Sequence, residues 1–359
     1  MITYIVRRVL LMIPTMFGVL ALTFALIQFA PGGPVERIMA QLTQPEASAL
    51  GRAGGESTAV DTSADAAYRG AQGMDPALVK ELEAQFGFDK PPLERFGLML
   101  ADFAVFDFGQ SFYRDTQVLD LILEKLPVSI TLGLWSTLII YLVSIPLGIV
   151  KALRDGTAFD VATSAAVIIA YAVPSFLVGI GLIILFAGGS FLELFPLRGL
   201  SSPGSDDLSF FARMADYLWH AILPVTAYTL SGFAAITLLT KNCFLDEVSK
   251  QYVTTARAKG LAERDILLGH VFRNAMLVVI AQFPSVFIRV FFAGALLIET
   301  IFSLDGLGLL SFESIINRDY PVVFASVYIF SLIGLIAHLV SDILIMITDP
   351  RIDFEGRRT

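Results

Sequence analysis

Six stretches of this chain are apolar enough and long enough to cross a lipid bilayer, and that constrains its folding more than any other feature. A hydrocarbon core about 30 Å thick takes around 20 helical residues to span. Segments 9–30, 128–149, 161–187, 220–239, 275–298 and 321–347 each meet that length. In lipid the backbone N–H and C=O groups have no water to bond, so such segments fold as helices. Pro14, Pro146, Pro174, Pro224 and Pro284 fall within them; neighbouring helices re-satisfy the carbonyls that proline frees. The fold class expected is therefore an all-α integral membrane protein with six transmembrane helices. The chain is only 16% charged, against about a quarter in soluble domains, which excludes an ordinary soluble enzyme. A net charge of −8 argues against nucleic acid as a partner, because a phosphate-binding surface needs clustered cations.

Arg7 and Arg8 precede the first apolar run, as in a signal peptide. The run is longer than an h-region, however, and no small-x-small cleavage site precedes Pro31-Gly32-Gly33-Pro34, so 1–30 reads as a retained helix. Short loops on one side carry Lys151, Arg154, Lys241, Lys250, Arg257, Lys259, Arg264 and Arg273, whereas those on the other carry Arg198, Arg213 and Arg318. The positive-inside rule then places both termini in the cytoplasm. The long outer loop, 31–127, divides in two. Residues 44–73 are rich in Ala, Gly, Ser and Thr and cannot bury a core, so they read as extended or disordered. From Asp75-Pro76 onward Leu78, Val79, Leu82 and Phe86 recur at helical spacing before Gly87. Phe96, Phe103, Phe106 and Phe108 follow, completing a helical cap in which they are core rather than ligand contacts. The five-helix core occupies 128–348, with an inner loop at 242–274 and a tail at 349–359.

No Gly-x4-Gly-Lys-Ser/Thr loop, His-Glu-x-x-His or Gly-x-Ser-x-Gly motif is present, and His220, His270 and His338 lie far apart. The single cysteine, Cys243, rules out an internal disulfide. The sequence therefore offers no catalytic set, no metal site and no cofactor of its own.

The inner loop is the most informative stretch. Gln251 to Lys259 runs without a breaker to Gly260-Leu261, which suits a helix C-terminus with glycine in the left-handed position. A second helix starts near Ala262 and leads through His270 and Arg273-Asn274 into the fifth span. Tyr252, Ala256 and Lys259 share one face of the first helix, and Val253, Arg257 and Gly260 the next. Two readings stand level on physical grounds: a helix seated in another protein's groove, or an amphipathic helix lying on anionic lipid.

Tyr252-Val253-x-Thr255-Ala256-Arg257-Ala258-Lys259-Gly260-Leu261, followed by His270-Val271-x-Arg273-Asn274-Ala275, resembles the coupling loop of bacterial ABC-importer permeases of the dipeptide/oligopeptide subfamily. Leu126-Pro127-Val128-Ser129, His220-x-x-Leu223-Pro224, Glu299-Thr300-Ile301-Phe302-Ser303-x-x-Gly306-Leu307-Gly308, Arg318-Asp319-Tyr320-Pro321 and Asp349-Pro350-Arg351 extend the likeness along the chain. One departure stands out: the general loop opens Glu-Ala-Ala, and this chain has Thr254-Thr255-Ala256.

The resemblance implies a type I permease in the bacterial inner membrane. It would share a translocation pathway with a second, paralogous permease. ATP and Mg would sit on partner ATPase subunits, and a periplasmic binding protein would deliver oligopeptides, those of the microcin C kind included. A related importer for dipeptides or nickel, and an ion-coupled secondary transporter, are the alternatives. The resemblance assigns coupling to Tyr252, Thr255, Ala256, Arg257, Lys259, Gly260, Leu261, Arg273 and Asn274. For the pathway, Arg289, Pro284 and Glu299 are the candidates. Polar groups at membrane depth face a cavity or a partner, and for Arg289 three readings stay open: attracting peptide carboxylates, pairing with the second permease, or snorkelling to the interface. Asp342 is expected to meet the inner loop or the partner. Asp305, Glu313 and Asp319 read either as a docking rim for the binding protein or as ordinary solvated charge.

Overall fold

The structure, a computed structural model, describes residues 2–29, 90–188, 191–293 and 295–348. The expected helix after Asp75, the 44–73 insertion and the 349–359 tail lie outside them. Helices dominate: α1 (Ile2–Phe29), α2 (Pro92–Ala104), α3 (Val118–Leu153), α4 (Ala158–Ala172), α5 (Ser175–Phe186), α6 (Phe210–Val248), α7 (Gln251–Ala258), α8 (Phe272–Ala281), α9 (Phe283–Ile288), α10 (Ala295–Ile301), α11 (Leu307–Asn317) and α12 (Tyr320–Thr348). Among the described residues, four candidate spans are long and apolar enough to cross a membrane: Thr3–Gln28, Val118–Leu153, Phe283–Ile301 and Tyr320–Thr348. Two bent pairs bring the total to six if each is one crossing.

The bends are where a reading in straight spans falls short. The third expected span is two helices, α4 and α5, meeting at 95°. Proline disfavours helical backbone in the residue before it, and Val173, just ahead of Pro174, is extended at φ −86°, ψ 121°. The fourth bends by 52° between Leu230 and Gly232. In the fifth, α8 stops at Ala281 and a new helix starts at Phe283 with Pro284 in its first turn, where a missing N–H costs nothing. The crossing segment thus runs Phe283–Ile301 rather than 275–298.

Two compact units share the chain. The larger draws on Met1–Met12, Glu124–Leu310 and Leu332–Thr359. Its core gathers Leu132, Ile140, Tyr228, Ile236, Phe244, Val253, Ile266, Val279, Ile298 and Phe302. Helices α3 and α6 approach closely enough that a Cβ on Gly148 would lie 2.6 Å from that of Thr240, a small-residue contact of the kind membrane helices use. The smaller unit comprises Ile13–Leu123 and Ser311–Ser331. There Phe103 and Phe108 are buried and pack edge-on at 4.8 Å between ring centroids, each also meeting Tyr328 at 5.6 Å. Phe106 sits at the edge of this cluster, half exposed. Such edge contacts add about 0.5–1.5 kcal/mol each beyond burial.

Candidate functional site

The segment after α6 forms the helix and turn expected of it. Helix α7 buries Val253 and Ala256, and Tyr252 is half-buried. Thr254, Thr255, Arg257, Ala258 and Lys259 are left exposed, as are Gly260 and Leu261. The inward face is therefore 252, 253 and 256, not the stripe through Lys259. Gly260 adopts φ +80°; its N–H bonds the Arg257 carbonyl at 2.9 Å and the Leu261 N–H bonds that of Ala256 at 3.3 Å. Both bonds belong to the glycine-terminated helix end that closes the last turn. Across it Arg257 holds Glu263 with Nε and Nη2 at 3.0 and 2.5 Å, and the guanidinium keeps the Glu263 carboxyl below the usual carboxylate range.

The turn is anchored from behind. Tyr252 donates its hydroxyl to Glu247 at 2.8 Å and accepts one hydrogen bond from Asn274 Nδ2 at 3.3 Å; burial raises its phenol. Ile266 and Val271, both inaccessible to solvent, pin the π-helical turn Ile266–Val271 that leads into α8. Arg273 Nε reaches the Thr348 carbonyl at 2.6 Å. Of the residues assigned to coupling, Tyr252, Ala256, Arg273 and Asn274 thus serve the mounting. Thr255, Arg257, Lys259, Gly260 and Leu261 form the free outer surface.

A charged cluster that the sequence reading passed over as loop charge lies between α3, α4 and α6. Lys151, fully buried, donates to the Asp160 carbonyl at 2.8 Å, Thr163 Oγ1 at 2.9 Å and Ser164 Oγ at 2.7 Å, and pairs with the Asp160 carboxylate at 3.0 Å. Lys241 bridges Asp160 and Asp155, each at 2.7 Å. The signal was available: Thr157 caps α4 by accepting from the Asp160 N–H, so Thr157-x-x-Asp160 marks a helix start that points a carboxylate back toward the preceding helix.

In the fifth span the two charged residues have opposite surroundings. Glu299, inaccessible to solvent, accepts from Ser129 Oγ at 2.8 Å and from the Leu309 N–H at 2.7 Å; Ser129 Oγ accepts in turn from the Leu307 N–H at 2.8 Å. Glutamate and serine together cap the start of α11, where unpaired N–H groups favour negative charge. A Cβ at Gly306 would collide with that carboxylate. Glu299 is thus enclosed by its own chain. Pro284 is buried at the start of α9. Arg289 is exposed and has no hydrogen-bond or ion-pair partner among the described residues.

The expected docking residues fall in different units. In the larger, Asp305 is exposed and pairs with Lys125, which also holds Glu124 at 2.6 Å. In the smaller, Glu313 pairs with Arg114 at 2.7 Å. Asp319 is buried, accepting from Ser111 Oγ at 2.5 Å and the Phe112 N–H at 3.1 Å; burial raises its carboxyl. Asp342 meets the first helix rather than the inner loop: Arg8 pairs with it at 2.9 Å and Tyr4 donates to it at 3.0 Å.

Residues 144–354 match the model of the family described as the binding-protein-dependent transport system inner membrane component. The chain is 59% identical to the peptidoglycan transport system permease protein YejB of Agrobacterium fabrum, over 99% of both chains. It is 56% identical to the inner membrane ABC transporter permease protein YejB of Escherichia coli O157:H7, again over 99% of each. The oligopeptide transport system permease protein AppB of Bacillus subtilis shares 31% identity over 99% of this chain and 100% of its own. Bent apolar spans, a glycine-terminated α7 presenting a bare polar face, and matches along nearly the whole chain converge: this protein belongs to the family of binding-protein-dependent transport system inner membrane components.

Proposed function

We propose that this chain is the peptide-conducting permease subunit of an ATP-driven ABC importer in a bacterial inner membrane. It works beside a second permease, above cytoplasmic ATPase subunits and below a periplasmic binding protein. The chain contributes no catalysis; ATP and Mg belong to the ATPases. The observation that carries the reading is α7, whose exposed face of Thr255, Arg257 and Lys259 ends at Gly260 on a rigid, back-anchored mount. A lever needs that combination: an open surface for the moving partner and a stiff connection to the spans. ATP-driven closure of the ATPases would displace the lever, and the hinges at Val173-Pro174 and Gln282 would let the spans follow as rigid pieces.

Peptide as substrate follows the name of one relative, the oligopeptide transport permease AppB. Peptidoglycan fragments are a second reading, favoured by the name of the relative at 59% identity. The test is uptake of labelled oligopeptides and peptidoglycan stem peptides into vesicles carrying the whole assembly, with and without ATP. ATP-dependent accumulation of either class supports the proposal, and the preferred class decides between the two. Accumulation by this chain without its ATPases would refute it.

A further inference from the structure

At the start of the fifth span, one exposed face carries polar side chains with no partner among the described residues. Gln282, Ser285 and Arg289 follow at intervals of three and four, so they share a side of the helix. All three are exposed, and none has a side-chain hydrogen bond or ion pair among the described residues. The opposite side fixes this rotation. Phe283, Phe287 and Phe291 stack in a ladder with ring centroids 5.9 and 5.6 Å apart, and Pro284 and Val290 are buried. The ladder closes on Gly133, where a Cβ would lie 2.9 Å from the Phe291 ring.

Arg289 lies six residues after Phe283 and twelve before Ile301, about 9 and 18 Å from the two ends at 1.5 Å per residue. It also opens the π-helical turn Arg289–Ala293, a local widening that recurs at functional positions. A lone arginine at that depth could snorkel. Gln282 lies just ahead of the crossing segment and Ser285 about 3 Å into it at 1.5 Å per residue, so the polar row leads from the span's end to the depth of Arg289, where a charge calls for water or a polar partner.

We propose that this face lines the pathway and that Arg289 receives the C-terminal carboxylate of the passing peptide, with Ser285 and Gln282 offering further hydrogen bonds beside it. The proposal rests on the peptide-permease reading above. Its chemistry is specific: a planar guanidinium binds a carboxylate through two parallel N–H donors, and every free-acid peptide carries that group whatever its sequence. Glu299, the other charged residue of the span, is enclosed by Ser129 and the Leu309 N–H, so it does not offset the cation on this face.

The experiment compares two forms of one labelled tripeptide, free acid and C-terminal amide, both delivered by the same binding protein to the reconstituted assembly. Unaltered protein, Arg289→Gln and Arg289→Lys are each measured for uptake. Losing a charge-assisted hydrogen bond should lower the acid-to-amide uptake ratio by about tenfold or more in Arg289→Gln, with Arg289→Lys between the two. Equal loss for acid and amide, as expected if Arg289 pairs with the partner permease, overturns the proposal, and so does no loss. If Arg289→Gln does not assemble, an unchanged ratio in Arg289→Lys overturns it and a lowered one supports it. Failure of the unaltered assembly to import either form would instead refute the underlying peptide-permease reading.

Discussion

Glu299 and Arg289 sit ten residues apart in one span, and the molecule treats them in opposite ways. Around the glutamate it has built a closed site: a serine hydroxyl, backbone N–H groups from the start of α11, and a glycine whose bare Cα makes room. Around the arginine it has built nothing among the described residues. A buried charge without partners is costly; the glutamate finds its partners within the chain, and the arginine is exposed with none among the described residues. Charge at membrane depth is thus not one category, and the hydrogen-bond inventory separates the two kinds.

The largest expected effect breaks the closed site. Glu299→Ala removes the acceptor for Ser129 and the Leu309 N–H; at about 1–3 kcal/mol for each orphaned buried donor, the folded protein should be lost from the membrane, read as its amount after extraction. Asp160→Asn comes next. It weakens the counter-charge to fully buried Lys151 and takes a partner from Lys241, so the melting temperature of the purified assembly should fall by several degrees. By contrast Arg289→Gln should leave the melting temperature within about a degree, because it breaks no hydrogen bond or ion pair among the described residues; a large fall would put Arg289 in the same class as Glu299. The smallest effect is expected from acid. The lowered Glu263 carboxyl means its bond to Arg257 is fully present above the ordinary glutamate range and is lost only as pH falls through the lowered value. ATPase stimulation should therefore show no step from this pair between about pH 5 and 8, and a step there would require another group.

Much of this was legible in the sequence, for identifiable reasons. Apolar runs near 20 residues leave the backbone little choice, so every expected span has a helical counterpart. Gly260 declared the end of α7 because only glycine takes φ +80° without strain. Which proline marks a bend was not legible, since Pro174 breaks its helix at 95° while Pro146 sits inside an unbroken one and α6 bends by 52° after Leu230 rather than at Pro224. Proline frees a carbonyl in each case, and tertiary packing decides whether the helix turns. Nor could one sequence reveal that Glu299 reaches across to Ser129, or that Asp342 pairs with Arg8 more than 300 residues away. Spacing reports neighbours along a helix and is silent about contacts between helices.

The account depends above all on α7 and its glycine turn moving the spans. Gly260→Pro addresses this directly, because proline holds φ near −65° and cannot adopt the +80° of this turn, while the turn itself is exposed. In the reconstituted assembly, ATP hydrolysis stimulated by loaded binding protein is measured together with peptide uptake. We expect a complex present at normal amount whose hydrolysis no longer responds to loaded binding protein and whose uptake is lost. Stimulated hydrolysis and uptake at the unaltered level would contradict the account.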